Sequence, residues 1–515
     1  MNVSEATRRL IRTRLDAEVG RIDKQAEVRV ALAYPSPYHV GMSSLGYQRI
    51  YRAIQDLPGF CCERVFLPDG GDRSGAKPER PVSYESLREL AEFPVIALSV
   101  AYELELAGLI RMFDAAGIPP LARDRDDRAP FVLAGGPLTF SNPVPLGPYV
   151  DAIVIGEAEG LVERCLEIIR ESPDKARTLE ALAALDHVYV PALAGETLPS
   201  VAACDDALLP AHSAIRTPHT ELSNMFLIEA ERGCSRGCTY CVMRRSTNGG
   251  MRLIPKEVIL EKTPHDATKV GLVGAAVSDH PRIIEIVRAL TERGLGVGLS
   301  SLRPDRLKPE FVEVLKQAGY RTLTTALDGP SERLRDLIER RGREPNYLAA
   351  AENAKKSGIE RLKLYLMIGL PGETDEDIDE CSRFVGELSR VIPIALGVAP
   401  FCSKRKTPLD RMPFAGVRIV EQRMERLRRG LRGRADVRAT SARFAWVEYV
   451  LAQGGAQEGI AMLDAVRNGG SFAHYRRAFA ELGHTPNGDG YATATMPFAP
   501  ERLPSRRRLP VSAPR

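Results

Sequence analysis

Three cysteines stand within eight residues at Cys234-x3-Cys238-x2-Cys241, inside the run Glu231-Arg-Gly-Cys-Ser-Arg-Gly-Cys-Thr-Tyr-Cys241. Sulfurs gathered this closely suit a soft metal centre, because a coordinating thiol gives up its proton and the metal offsets the repulsion between thiolates. A four-iron cluster normally takes four thiolates. Three leave one iron open to a further ligand, as a catalytic metal requires. Zinc would want a fourth Cys or His in a paired pattern, which the run lacks. The other six cysteines, Cys61, Cys62, Cys165, Cys204, Cys381 and Cys402, make no second metal pattern. An odd total with one metal-spaced triplet argues for a reducing cytoplasm rather than a disulfide framework.

These cysteines need a scaffold, and 515 residues are too many for one ordinary core. A charged helix is expected near 4–24. Short apolar runs then alternate with helical patterns: strands at 28–33, 95–100, 131–134 and 152–155, and helices at 43–57, 105–116 and 159–170. That alternation predicts an open, mostly parallel sheet, whose ligands would bind beyond the carboxyl ends of the strands, in loops 34–46, 99–104, 135–143 and 156–160. Prolines 191, 199, 210 and 218 mark a strap between domains. A second alternation begins at strand 225–230, whose end delivers the cysteines, as α/β barrels place their chemistry. It continues through strands 270–273, 297–300, 322–325, 362–368 and 394–398, the last of the series, with helices between them.

The triplet, with the aromatic Tyr240 before its third cysteine, resembles the signature of the radical S-adenosylmethionine (SAM) enzymes. The resemblance implies a 4Fe-4S cluster on Cys234, Cys238 and Cys241. Its open iron would chelate the amino and carboxylate groups of SAM, and reductive cleavage would yield a 5′-deoxyadenosyl radical. It places Gly274, in Gly274-Ala-Ala-Val-Ser-Asp-His-Pro281, near the SAM amino group. Ser300 and Arg303 fall near its ribose and carboxylate. Gly369 and Pro371, in Met367-Ile-Gly-Leu-Pro-Gly-Glu-Thr374, fall beside the adenine. Ala326-Leu-Asp-Gly-Pro-Ser-Glu-Arg-Leu-Arg335 resembles a stretch of cobalamin-type members, with Asp328 where a Glu is usual. Phe401-Cys-Ser-Lys-Arg-Lys-Thr-Pro408 resembles a loop after the sixth strand. Cys402 there reads better as a buried spectator than as a substrate-side thiol.

The N-terminal sheet resembles the cobalamin-binding-type domain that precedes many radical SAM barrels, with Ser99, Gly135 and Gly136 as residues beside such a cofactor. The Asp-x-His-x-x-Gly signature is absent: His39 sits in Pro37-Tyr-His-Val-Gly41. Cobalamin without a protein ligand, or a domain that lost it, are both open.

The expected architecture is α/β: an N-terminal helix (1–25), a Rossmann-like cobalamin-binding-type domain (26–190), a linker (191–222), a partial (β/α)6 TIM-like radical SAM barrel (223–410), a small helical C-terminal region (411–485) and a disordered basic tail (486–515). Between Glu421 and Arg443 eight arginines face three acids. Val420, Met424, Leu427 and Leu431 give that stretch an amphipathic helix with a basic face. RNA contact is one use of such a face; a solvated brace for the barrel is the plainer one. With 44% hydrophobic and 27% charged residues, no apolar run of membrane-spanning length and no signal-peptide pattern, a cytoplasmic protein is expected. The resemblance further implies an electron donor of flavodoxin or ferredoxin type and an unnamed substrate, with methyl transfer as the outcome if cobalamin is present. Two alternatives stay open: an RNA- or protein-modifying enzyme of the methylthiotransferase kind without a corrin, and a non-enzymatic iron–sulfur sensor.

Overall fold

A computed structural model of the chain describes residues 3–69, 79–244 and 250–488, and the backbone of Arg507–Arg508. Most of the tail expected at 486–515 lies outside the described residues. The chain divides into two compact units, Met1–Phe226 with Gly454–Gly483, and Leu227–Gln453 with His484–Arg515.

The first unit is built on β1 (Val28–Tyr34), β2 (Phe60–Phe66), β3 (Val95–Ser99), β4 (Phe131–Gly135), β5 (Ala152–Val154) and β6 (Val188–Tyr189). They lie in the order β2-β1-β3-β4-β5-β6, all parallel except β6. The order reverses between β1 and β3, which makes that junction the switch point of the sheet. β2 escapes a reading of the sequence because Phe-Cys-Cys-Glu-Arg-Val-Phe puts two charges in a strand. Tertiary partners neutralise them. Arg64 is fully buried, with two nitrogens on the Glu18 carboxylate at 2.7 and 2.8 Å and Nε on Glu85 at 2.6 Å. Glu63 accepts from Arg29 at 2.6 Å. A guanidinium clasped this way can sit in a core that would reject it alone. The first helix spans only Glu5–Asp16, ending well short of residue 24.

Two expected boundaries move. The strap at 191–222 packs into the first unit, bridging Ala202 to Gly156 and Arg216 to Val19 and burying Ile215 in the core. The helical region expected as one block at 411–485 is divided, and helices Ala456–Arg467 and Phe472–Ala480 belong to the first unit. Tyr149 donates to the Gly459 carbonyl at 2.7 Å, and Gly459 is needed because a Cβ there would come within 2.1 Å of the Pro145 carbonyl oxygen.

The second unit carries β7 (Met225–Glu229), a short antiparallel pair β8 (Glu231–Arg232) and β9 (Arg252–Leu253), then β10 (Lys269–Val273), β11 (Gly296–Leu299), β12 (Thr322–Asp328), β13 (Arg361–Ile368), β14 (Ile394–Pro400) and β15 (Ala435–Ala439). Their orders are β7-β10-β11 and β12-β13-β14-β15, joined by a parallel bridge between Leu302 and Thr325. This is the open α/β barrel architecture expected, with one correction: β14 is followed by β15, paired parallel to it. The run Ala-Asp-Val-Arg-Ala has too little apolar surface to announce a strand. Burial alternates along β12, β13 and β14, so one face packs on helices and the other stays open. Among the described residues no helix is long and apolar enough to cross a membrane.

Candidate functional site

β7 runs into the cysteine loop through Glu231 and Arg232, the latter held by Glu229 at 2.8 Å. Gly233 then turns the chain at φ +84°, a conformation costly for any residue with a Cβ. The loop is fixed on both sides: Thr239 N–H donates to the Ile338 carbonyl at 3.1 Å, and Leu409 N–H donates to the Thr239 carbonyl at 3.2 Å. Tyr240 packs on Leu334, Ile338, Leu370, Phe401, Leu409 and Met412.

Cys234, Cys238 and Cys241 all face one cavity of about 220 Å³, and none is in a disulfide. Each sulfur has an N–H donor: Arg236 N–H for Cys234 at 3.4 Å, the Arg340 guanidinium for Cys238, and Met243 N–H for Cys241. Burial pushes the Cys234 thiol up to about 11 and Cys241 up to about 12, and raises Cys238 as well. Three clustered acceptors of N–H bonds, too buried to ionise without a cation, are the donor set a metal cluster completes. The residues fit a 4Fe-4S cluster.

The strand ends supply the rest of the wall. Ser300 lines the cavity and ties down the turn after β10, donating to the Gly274 carbonyl at 2.8 Å and accepting from its N–H at 3.2 Å. Gly274 is behind that wall, where a Cβ would come within 2.2 Å of Glu231 Oε1; Ala275 and Ala276 face the cavity instead. Glu231 is fully buried. Its Oε1 accepts from Ala276 N–H at 2.6 Å and its Oε2 has no hydrogen-bond partner. Burial pushes this carboxyl up to about 8, against the pull of the Ala276 N–H and with Glu229 and Asp279 adding to the rise.

Arg303 lines the cavity, and its guanidinium is shared between Asp279 and Asp305. Asp279, fully buried, also takes Arg236 at 3.2 Å. Two cavity-lining residues were not among the expected site residues. Asp328 adopts φ +62° and pairs with Arg340 at 2.8 Å, and both line the cavity. Burial acts to lower the Arg340 pKa, but Asp328, Tyr240 and Cys238 outweigh it and hold the guanidinium more firmly charged than usual. The one signal in the sequence was Asp328 standing where a Glu is usual; nothing marked Arg340.

The turn after β13 is arranged differently from the expectation. Gly369 and Pro371 do not line the cavity, and a Cβ at Gly369 would touch Val420 at 3.2 Å and Ala415 at 3.3 Å. The bare face of that glycine admits the chain itself. Glu373 organises the turn by accepting from Gly369 N–H at 2.9 Å and Leu370 N–H at 3.3 Å, and it pairs with Arg423 at 3.0 Å. Burial pushes Glu373 up to about 7, against Arg423 and the two N–H donors. Cys402 donates to the Ala445 carbonyl at 3.1 Å.

In the first unit, Ser99 and Gly135 are register partners at the ends of β3 and β4. Gly136 clears space that the chain fills, since a Cβ there would come within 2.6 Å of the Val100 carbonyl oxygen. At the β1/β3 switch point Ser36 donates to Glu105 at 3.2 Å, and helix Glu105–Ala116 seats Gly108 on the Pro35 carbonyl. His39 is exposed. These contacts show no cradle that a corrin would fill at those three residues.

Comparison with known proteins agrees with the division. Residues 46–191 match the N-terminal domain of radical SAM proteins, and residues 228–385 match the radical SAM superfamily. MJ0966 of Methanocaldococcus jannaschii is 28% identical over 397 residues, 75% of this chain and 80% of that protein. The ribosomal protein uS12 methylthiotransferase RimO of Trichlorobacter lovleyi is 26% identical over 250 residues, 44% of this chain and 53% of its own. The chain thus spans about half the length of that relative. A solved structure of the cobalamin-dependent S-adenosylmethionine radical enzyme OxsB with aqua-cobalamin bound aligns with 71% of this chain and 53% of its own, at 13% identity and a TM-score of 0.49. The superfamily match contains every residue lining the cavity, from Cys234 to Tyr365, and the chain belongs to the radical SAM superfamily.

Proposed function

We propose that Cys234, Cys238 and Cys241 hold a 4Fe-4S cluster, that SAM binds beside it in the cavity, and that the product is a carbon-centred radical on a substrate C–H bond. The observation that carries this reading is three sulfurs on one cavity wall, each with its own N–H donor. When bound, the cluster and SAM together supply reductive cleavage to a 5′-deoxyadenosyl radical. The chain's part is to bind, orient and exclude water. Arg236, Arg303 and Arg340 line the wall as ion pairs with Asp279, Asp305 and Asp328, which fixes where their guanidinium N–H groups stand. Ser300 holds the turn after β10 in place, and Leu302, Met243 and Ala276 add apolar surface to the wall. An external flavodoxin- or ferredoxin-like protein would deliver the electron.

A corrinoid is the second cofactor of this reading. The fold of the first unit and its β1/β3 switch point support it, while Ser99, Gly135 and Gly136 do not contribute to its case. Bound there, a corrinoid would supply a methyl group. A second reading, a methylthiotransferase without a corrin, is favoured by the RimO relative. It needs a second cluster, and the six cysteines outside the triplet make no second metal pattern in the sequence. RNA contact through the arginine-rich helix loses weight because Arg423 and Arg426 are paired with Glu373 and Asp379, and Arg443 with Glu421.

The test is anaerobic purification with a corrinoid in the medium. Iron and sulfide content, visible spectra and 5′-deoxyadenosine formation from SAM are then measured under reducing conditions. The reading expects iron, sulfide and 5′-deoxyadenosine; the absence of all three from reconstituted protein would remove it. Intact SAM beside a reduced cluster would point to a sensor.

A further inference from the structure

The open face of the second sheet has a composition that the cofactor site does not explain. Register sets two rows across it. One runs Thr324, Lys363, Ala395, Asp436; the next runs Ala326, Tyr365, Gly397, Arg438. Because side chains alternate along a strand, both rows point to the same face. Thr324, Ala326 and Tyr365 also line the cavity that holds the three cysteines, so the face and the cavity are continuous.

Tyr365 is 47% exposed, a large loss of burial for an aromatic in the middle of a sheet. Its ring lies over Gly397, where a Cβ would come within 2.9 Å of the ring. A glycine opposite therefore lets the phenol lie across β14 rather than stand up from it. Lys363 Nζ is 4.8 Å from the centroid of the same ring, and among the described residues Lys363 has no ion pair and no side-chain hydrogen bond. The carboxylate in its row is already taken, since Asp436 holds Arg438 at 3.0 Å. The acid at the cavity end of β12, Asp328, is taken by Arg340. The positions between are Thr, Ala and Gly, which build a trough rather than a packed surface. A lysine with no ion pair among the described residues, beside an aromatic face and with small residues around it, concentrates anions.

We infer that this face is the substrate floor of the radical site, and that it takes a substrate bearing an anionic group, carboxylate or phosphate, held by Lys363 while its reacting end lies against Tyr365. Lys363 Nζ stands 4.8 Å from the centroid of the Tyr365 ring, so the anion and the reacting end of the substrate would be held on adjoining groups. This rests on the reading of the cysteine cavity as the radical source and names what that source acts on.

The test uses the reconstituted full chain with its lysines carrying ¹³C-methyl groups, the Lys363 resonance being the one missing in Lys363→Arg. Inorganic phosphate and succinate are titrated in separately. The proposal expects the Lys363 resonance to shift saturably with one or both, at concentrations at least tenfold below those moving the other lysines, and Tyr365→Ala to weaken that response. Which anion acts distinguishes a phosphorylated substrate from a carboxylate. A Lys363 resonance that responds to neither, or only in step with the other lysines, overturns it. Unlabelled protein from the same preparation is assayed for iron, sulfide and 5′-deoxyadenosine. A silent Lys363 in protein that cleaves SAM removes the substrate assignment alone, whereas loss of cleavage and cluster removes the underlying reading.

Discussion

Removing Arg423 should loosen the turn after β13 while leaving the rest of the sheet in place. Arg423 sits on helix Val417–Gly430 and reaches Glu373 twice, with Nη1 on Oε1 at 3.0 Å and Nη2 on the backbone carbonyl. The Glu373 side chain has no exposed surface. Replacing one partner of a buried pair strands the other charge, typically at about 3–5 kcal/mol, so Arg423→Met should raise the opening equilibrium of this turn by about two to three and a half decades. The assay is hydrogen exchange with mass spectrometry on anaerobically reconstituted protein, read on a peptide covering 366–376, because local opening is what the pair opposes. In a Glu373→Gln background the same substitution should cost far less, since no carboxylate is stranded. The pH dependence has a definite sign. Burial raises Glu373 from 4.5 to about 7 with Arg423 present, so the folded state favours the protonated form. The burden of the charge is absent below the unfolded value near 4.5 and is carried in full above the folded value. Without Arg423 that value rises further, so the gap between variant and wild type should be wide at pH 8 and narrow toward pH 5. Unchanged exchange at 366–376 in Arg423→Met, or an equal effect in both backgrounds, would refute the reasoning.

Other outcomes are as specific. Serine at Cys234, Cys238 or Cys241 should abolish the brown chromophore and SAM cleavage, whereas Cys402→Ser should keep both, because Cys402 donates to the Ala445 carbonyl and does not line the cavity; iron analysis and 5′-deoxyadenosine yield check this. Gly274→Ala should disturb the wall behind Ser300, since its Cβ would fall 2.2 Å from Glu231 Oε1. About 1–3 kcal/mol of strain should appear as weaker SAM binding by equilibrium dialysis with the iron content retained. Arg64→Met should destabilise the first unit by about 3–5 kcal/mol, because Glu18 and Glu85 would be left buried without the cation they share; exchange protection in β1 and β2 should fall and that in β13 should not.

How far these features were legible depends on whether the cause was local. Helix Glu105–Ala116 could be read residue for residue, since its apolar spacing and the following Gly117 are properties of that stretch. The cysteines were legible for the same reason: a metal triplet written within eight residues needs no tertiary knowledge. β2 and β15 were not, because Glu63, Arg64, Asp436 and Arg438 become acceptable in strands only through partners elsewhere or an edge position. Arg340 and Glu231 were missed on the same ground. Their roles come from what tertiary structure sets beside them, Cys238 and Asp328 for one and Ala276 for the other. Gly369 was assigned a ligand's backbone approach when the close neighbour is the chain's own helix at Val420. A glycine's bare face shows that something is near, and only the fold says what.

The same distinction separates the two halves of the chemistry. In the proposed reading, the radical source is carried by one contiguous loop at the end of β7. What the radical meets is carried by single positions on successive strands, Thr324, Lys363 and Ala395 in one row and Ala326, Tyr365 and Gly397 in the next. Such positions carry no mark in a linear sequence, because period-two alternation only says that every second residue shares a face. Once register is known the rows show, at Lys363, a cation with no ion pair among the described residues, and a reclining phenol among small residues. Alanine, glycine and threonine there forgo apolar burial that larger side chains would gain, and an empty trough beside a radical source has no structural return for that loss. A substrate that fills it does.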